Sequence, residues 1–476
     1  MDSLLKNTQK KASFFIISMV MWEFFSFYGL KSILILYLTS QLHLSDATAY
    51  EIFGNFAALV FVTPMIGGWL ADRYCGYRYA AALGCILIIL GHITLAVFTY
   101  NIYIGLSLLT MGIGFFKSNA ICLISSCYPD DSVGTSSAFS WYYVSGNLGS
   151  MISQIICPYL VEKISWHAGF MAAAIGMVLG LIMLILSKPY FRWERDSVKM
   201  RRWHQFSFLK KAIGSVSVIL LLLALTYYTL YYNWVGSLLL FTGVVAAAML
   251  ISIYRKTDPI HKKSLIMIGV LTVFAAAYWI FNNQGANSVP LFILRYVNRD
   301  LFGFIVPTGM FQALNPASIL IFGTIMAVVW RWLGQRNIRP QSESKLSIAL
   351  LFLMIGFFII AYGAKLANTH GSISLLFPLF GLLIIGCAEI FVDPVLLAAI
   401  SDIAPPNTEG QLVAIYYLII GAFANYLAIV VAKWTIDPMT NKATALTYNS
   451  AYLQIAYIAS ALFGLLLLRV IFRKRT

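Results

Sequence analysis

Five ionisable residues stand inside long apolar runs of this chain: Glu23, Lys31, Lys117, Glu389 and Asp393. A charge in the hydrocarbon of a bilayer costs about 2.5–3.5 kcal/mol on insertion scales, so residues that carry that cost are functional candidates. Glu23, Phe27 and Lys31 are spaced i, i+4, i+8 and share one face of a helix. Glu389 and Asp393 are likewise i, i+4. Acids and bases so placed can exchange protons or hold a charged ligand. The competing reading is a set of buried ion pairs that only fix helix packing. Such pairs are weak stabilisers and costly to desolvate, and a water-filled cavity explains them more simply.

The elements that position these residues follow from composition. Of 476 residues, 60% are hydrophobic and 11% charged. A soluble domain averages about 45–50% apolar and about 25% charged, so a soluble globule is excluded. The net charge of +15 does not imply a nucleic-acid partner, because no solvated basic domain fits between the apolar runs. None of the six Cys forms a CxxC pair, so neither a disulfide framework nor a zinc site is expected. Only His92 sits well inside an apolar run, and a lone His there reads as a packing or hydrogen-bonding residue. No heme, metal or other cofactor is expected. No nucleophile–base pair suggests an enzyme.

At roughly 20 apolar residues per span, about fourteen stretches qualify. Six lie in residues 13–187. Two form a hairpin at 212–254 that turns at Asn233. Six more lie in 264–470. No cleavable signal peptide is evident, since the first apolar stretch is too long. With the N-terminus inside, about 25 of the 33 basic residues fall on the cytoplasmic side, as the positive-inside rule expects. Both termini are then cytoplasmic, and the tail Arg473, Lys474, Arg475 agrees. The expected fold is an all-α polytopic membrane protein: an N-terminal six-helix bundle (1–187), a basic loop with a two-helix hairpin (188–263) and a C-terminal six-helix bundle (264–476). Six plus six spans is the plan of a two-bundle transporter.

Irregular sequence marks the neighbourhood of the charges. Asn147-Leu148-Gly149-Ser150 is expected to interrupt the fifth span. Asn282 to Asn287 with Pro290, Gln312 to Pro316, and Pro394 interrupt three later ones. A helix broken in this way frees backbone groups that neighbours or water must satisfy.

These motifs resemble the proton-dependent oligopeptide transporter (POT) family of the major facilitator superfamily. Gly67-Gly68-Trp69-Leu70-Ala71-Asp72-Arg73-Tyr74-Cys75-Gly76-Tyr77-Arg78 is similar to the superfamily's loop signature, with Gly68, Asp72, Arg73, Gly76 and Arg78 as its conformational residues. Tyr142 to Ser150 resembles the aromatic–Tyr–Asn-x-Gly signature. Phe311-Gln312-Ala313-Leu314-Asn315-Pro316 and Glu389 with Pro394 resemble two more, and prokaryotic members also carry an extra hairpin. The resemblance implies an importer of di- and tripeptides driven by protons, in a bacterial plasma membrane, with a small zwitterion and protons as partners besides lipid. It further implies a cationic pole (Lys31, Lys117) and a pole for the amine (Glu389, Asn147, Asn315). Tyr28, Phe27, Phe61, Trp279 and Tyr416 would line the space between, and a monomer would suffice.

Several positions depart from the family pattern. Its first-helix Glu-x-x-Glu-Arg reads Val20, Glu23, Phe24 here, and a later Arg has become Lys31, which keeps the charge but loses the bidentate fork. Gly309 stands where many members have an acid paired with that Arg, and Phe61 where many have a substrate-facing Tyr. The cation–carboxylate gate is therefore expected to be missing. Proton coupling is expected on Glu23, Glu389 and Lys117: substrate carboxylate competes for Lys117, and Glu23 then takes a proton. Two alternatives remain open. One is a carrier for a non-peptide amino-acid-derived compound, such as a metallophore, amine or drug, moving in either direction. The other is a receptor using the same fold without flux.

Overall fold

In the computed structural model, residues 2–97, 101–128, 131–191, 208–338, 340–406 and 408–473 are described. The central part of the expected basic loop (192–207) and the basic residues 474–475 lie outside them. The helices are α1 Asp2–Leu36, α2 Asp46–Leu70, α3 Tyr77–Val97, α4 Ile102–Ser126, α5 Ser132–Lys163 and α6 Trp166–Leu186, then the hairpin α7 Phe208–Tyr231 and α8 Val235–Lys256. The second half runs α9 Pro259–Asn282, α10 Ser288–Tyr296, α11 Leu314–Gln335, α12 Ser342–His370, α13 Leu376–Ala388, α14 Asp393–Ile403, α15 Glu409–Tyr417, α16 Ala424–Lys433 and α17 Ala445–Arg473. Joined across their irregular turns, these make the fourteen expected spans. Among the described residues, 12 are long and apolar enough to cross a membrane. The other two are α5, diluted by Ser, Gly and Asn, and α7, whose first residues carry two lysines.

The chain divides into two compact units: Met1–Ile33 with Leu59–Val235, and Leu34–Ala58 with Gly236–Thr476. These boundaries differ from the expected 1–187, 188–263 and 264–476. The hairpin is not a separate body. Its α7 packs in unit 1 on α4, where Ile219, Leu222 and Leu223 meet Met111 and Phe115. Its α8 belongs to unit 2, where a Cβ on Gly243 would lie 2.9 Å from Phe423. Asn233 turns the hairpin with a positive φ of 56°, a conformation Asn tolerates better than most residues.

In unit 1, α3 packs on α4 and α6, and α5 on α6. Lipid tails are as apolar as Leu, so helices in a bilayer associate through close packing of small residues rather than a hydrophobic drive. Gly67 shows it: an added Cβ would lie 2.2 Å from the Gly114 carbonyl oxygen of α4. One expectation fails here. Asn147 to Ser150 does not interrupt α5, which runs unbroken. Asn147 Nδ2 donates to the Tyr143 carbonyl and Ser150 Oγ to that of Gly146, both within the helix. Gly149 instead brings α5 against α1, its Cβ position 2.2 Å from the Met21 carbonyl oxygen.

Two of the other expected breaks are 3-10 turns within their spans, Asn283–Gly285 and Glu389–Phe391, whereas Thr308–Ala313 opens its span rather than interrupting it, with Asn315 and Pro316 inside α11. Pro394 begins α14 just past Glu389–Phe391, where its missing N–H is tolerated. In unit 2, α12 packs on α17 and α13, and α9 on α12, α14 and α16. Residues 34–58 are bound into this unit by charge. Arg295 donates from both Nη atoms to Asp46, at 2.6 and 2.7 Å, and reaches Tyr448 OH at 3.3 Å. Lys433 pairs with Glu51, and Tyr50 OH meets Thr435 Oγ1 at 3.2 Å. Gly309 carries no carboxylate at the position of the expected gate. Cation–carboxylate pairs are nonetheless present, with the acids on 34–58 and the bases far along the chain.

The two pairs differ in burial: Asp46 is 9% exposed, whereas Glu51 and Lys433 are 36% and 40% exposed. Removing a partner from a bidentate, largely buried pair costs about 1.5–3 kcal/mol, while exposed pairs are worth about 0–1 kcal/mol. Arg295→Ala should therefore lower the unfolding temperature in detergent clearly more than Lys433→Ala, as read by thermal unfolding of the purified protein. Equal shifts would show that burial of Asp46 does not set the strength of its pair.

Candidate functional site

The residues singled out from the sequence fall into two clusters, one in each unit. Unit 1 holds Glu23, Phe27, Tyr28, Lys31, Phe61, Lys117 and Asn147. Glu23 is buried on α1. Lys117 of α4 interacts with it electrostatically, but among the described residues no direct ion pair joins them. Lys117 Nζ instead sits 4.7 Å from the ring centroid of Phe27 and 5.3 Å from that of Phe61. A desolvated cation gains from an aromatic face, by about 2 kcal/mol or more. This explains why Phe, which has no hydroxyl to offer, serves at both positions. Lys31 Nζ lies 5.7 Å from the Tyr28 ring.

Phe24, at the position of the family's Arg, stacks on Tyr28 (5.7 Å) and meets Tyr142 edge-on (6.0 Å). An aromatic column thus fills that space. Asn147 does not reach this cluster through its amide N–H group, which bonds within α5.

Unit 2 brings together Trp279, Asn315, Glu389 and Tyr416. Asn315 Nδ2 donates to Glu389 Oε2 at 3.0 Å. Trp279 Nε1 and Tyr416 OH both donate to Asp393 Oδ1, at 2.9 and 2.6 Å. The 3-10 turn Glu389–Phe391 lies between the two acids. Both carboxylates therefore accept from neutral donors. Asp393, legible in the sequence only as an intramembrane acid, fixes both Trp279 and Tyr416. The i, i+4 spacing from Glu389 was the available signal.

The loop signature is built at the end of α2. A single π-turn, Ala71–Cys75, leads to Gly76 at φ 79°, a conformation that favours glycine. Tyr77 OH donates to Asp72 at 2.9 Å, and Arg73 stacks on Trp69 at 5.1 Å. Arg78 donates to the Leu184 carbonyl at 2.5 Å and to Ser187 Oγ at 3.1 Å. Arg78 thereby satisfies orphan carbonyls at the C-terminal end of α6. Gly68 faces Ser118 of α4, its Cβ position 3.2 Å from Oγ.

The fold and these clusters define a class: a polytopic membrane protein with charge chemistry inside each unit and no metal-holding group among the described residues. The family model described as the POT family (PTR2) matches residues 78–448. The chain belongs to the POT family, a family of transporters. It is similar to "Dipeptide and tripeptide permease A" of Klebsiella pneumoniae (strain 342), at 26% identity over 479 residues, 98% of this chain and 93% of that one. The permease of the same name from Cronobacter turicensis is 28% identical over 473 residues, 97% and 92% of the two chains. A solved mutant of a "peptide transporter POT" in complex with alafosfalin superposes with a TM-score of 0.82 at 25% identity, over 96% of this chain and 93% of that one. A POT family transporter in complex with 5-aminolevulinic acid has a TM-score of 0.79 at 24% identity, over 96% and 95%.

Gly67→Ala forces its new methyl into a backbone carbonyl, whereas Gly68→Ala meets only the end of a serine side chain. Overpacking of the first kind costs about 1–3 kcal/mol. Gly67→Ala should reduce the yield of folded protein on size-exclusion chromatography, while Gly68→Ala stays near wild type.

Proposed function

We propose that the protein is a proton-driven symporter that imports di- and tripeptides or similarly small zwitterions by alternating access. The observation that carries this is the complementary chemistry of the two clusters. In unit 1 the cation Lys117 rests on aromatic faces beside Glu23 without a direct ion pair. In unit 2 Asp393 accepts from Trp279 and Tyr416, and Glu389 accepts from Asn315. Each unit thus offers chemistry for one kind of charged group, Lys117 and Lys31 for a carboxylate and Glu389 and Asn315 for an ammonium. The names of the permeases similar to this chain support peptides as the cargo.

Glu23 is the coupling acid of this proposal. While Lys117 is nearby, Glu23 keeps its negative charge. A substrate carboxylate draws Lys117 away, and a carboxylate left in an apolar setting takes up a proton rather than remain charged. Neutralising Glu23 permits the loaded carrier to reorient. Each proton moving down a membrane potential supplies about 2.3 kcal/mol per 100 mV, which corresponds to more than tenfold accumulation. Glu389 is a second protonatable group of the scheme. The excess of basic residues in alternate loops supports cytoplasmic termini in a bacterial inner membrane, with the Ala71–Arg78 turn on the same side.

A second reading, a carrier of a non-peptide amino-acid derivative, draws on Val20 and Phe24. The first is fully buried, and the second stacks on Tyr28 and meets Tyr142 edge-on, so the family's acid and base there are replaced by an apolar fill.

Purified protein in liposomes should take up a labelled dipeptide faster with an acidic exterior and an inside-negative potential. Glu23→Gln should abolish that acceleration while leaving counterflow exchange partly intact. Lys117→Ala should weaken binding of free dipeptides far more than of their esters, measured by thermal shift. Equal uptake with and without the gradient would sink the coupling, and stabilisation by other amines or acids but by no peptide would favour the second reading.

A further inference from the structure

Among the buried polar groups of unit 1 that this transport scheme leaves unused is an imidazole. His92 lies in the middle of α3 and is fully buried. Its Nε2 is 2.8 Å from Ser26 Oγ on α1. Among the described residues its Nδ1 has no hydrogen-bond partner, and neither has Oε1 of Glu23, one turn before Ser26. The two side chains line one narrow gap, too small to admit a water molecule, whose remaining wall is Phe27, Leu30, Ile88, Leu109 and Ile113. Native structures leave few buried polar atoms unpaired, and each such atom calls for a reason. Two unpaired atoms, on an acid and a base that line the same void, point to a shared ligand small enough to fit there. A proton is that ligand.

The charged and titratable groups around His92 are few. Glu23 faces the void from α1, with Lys31 two turns further on. Lys117 lies on α4. Cys85, on α3 itself, interacts electrostatically with Glu23. Helix α6, which also packs on α3, carries no Asp, Glu, Lys or Arg, and its His167 is hydrogen-bonded to the Ala96 carbonyl.

We propose that His92 is a second proton site of unit 1, coupled to Glu23 across this void. With Lys117 beside Glu23, the carboxylate has its counter-charge and the imidazole is neutral. When substrate draws Lys117 away, one proton from water binds Nδ1 of His92. The proton that the transport scheme assigns to Glu23 is then shared between its carboxylate and the ring, which neutralises the pair. A single N–H bond forms, and it breaks when the proton is released on the other side. Ser26 is a positioning residue: with Nε2–H donating to its Oγ, the ring keeps Nδ1 as the acceptor, and which nitrogen is protonated is set by the bond the other makes.

This inference rests on the proton-driven reading, so the wild type is its own control. Gradient-driven uptake and gradient-free counterflow of a labelled dipeptide are compared for wild type, His92→Gln and Ser26→Ala in liposomes. His92→Gln should lose at least tenfold of the gradient-driven rate and keep counterflow within about twofold. Ser26→Ala should keep the drive but move its pH midpoint. Retained acceleration in His92→Gln, or an equal fall in both assays, overturns the proposal, the latter outcome marking a packing role. Should His92→Gln fail to fold, NMR of ring-labelled histidine in the wild-type protein decides: adding dipeptide at constant pH should protonate the His92 ring, and a ring that stays neutral overturns the proposal. A wild type without any gradient drive would instead bring down the transport reading itself, and this inference with it.

Discussion

Hydrocarbon offers no solvent to a charge or to an unpaired backbone group, and every irregular feature of this protein answers to that constraint. Lys117 is accommodated on the faces of Phe27 and Phe61. Asp393 is met by an indole N–H and a phenol O–H. Where the second half breaks its helices, side chains reach the loosened backbone. Gln284 donates to the Ala428 carbonyl, Tyr278 to that of Ile385 and Ser318 to that of Leu383. The breaks are affordable because polar side chains of the same unit stand beside them.

The same constraint separates two kinds of charge. Pairs at the ends of spans, such as Asp46–Arg295 and Glu51–Lys433, bind directly and hold residues 34–58 in unit 2. Lys117 and Asp393, deeper in the spans, are held by aromatic rings, an indole N–H and a hydroxyl. A direct ion pair is a satisfied one, with little to gain from a ligand. A cation over a ring, or a carboxylate held by neutral donors, keeps electrostatic capacity for a charged partner. The distinction gives physical content to the difference between structural and functional charge in this family member.

Much of this was legible from composition and spacing. Fourteen spans, the Asn233 turn, two of the three later breaks and the grouping of Asn315 with Glu389 follow from hydropathy, proline placement and motif. The failure at Asn147 to Ser150 is instructive. Asn, Gly and Ser there suggested a broken helix, yet each polar side chain can return its hydrogen bond to its own helix, and each glycine can serve a neighbouring helix rather than a turn. Local sequence does not distinguish these uses, because the deciding atom, the Met21 carbonyl oxygen, lies far away in the chain.

By itself, the sequence determined that the chain lives in a membrane, how many times it crosses, and which few charges carry a desolvation cost. Those properties depend on runs of neighbouring residues and on transfer energies, which are local. The tertiary structure alone decided which charges meet. It paired Asp46 with Arg295 across 249 residues of chain, set Lys117 on two rings rather than on Glu23, and put His92 and Glu23 around one void. Hydrogen bonds and ring contacts act over a few ångströms, so their partners are chosen by how helices pack, and packing is a property of the whole unit.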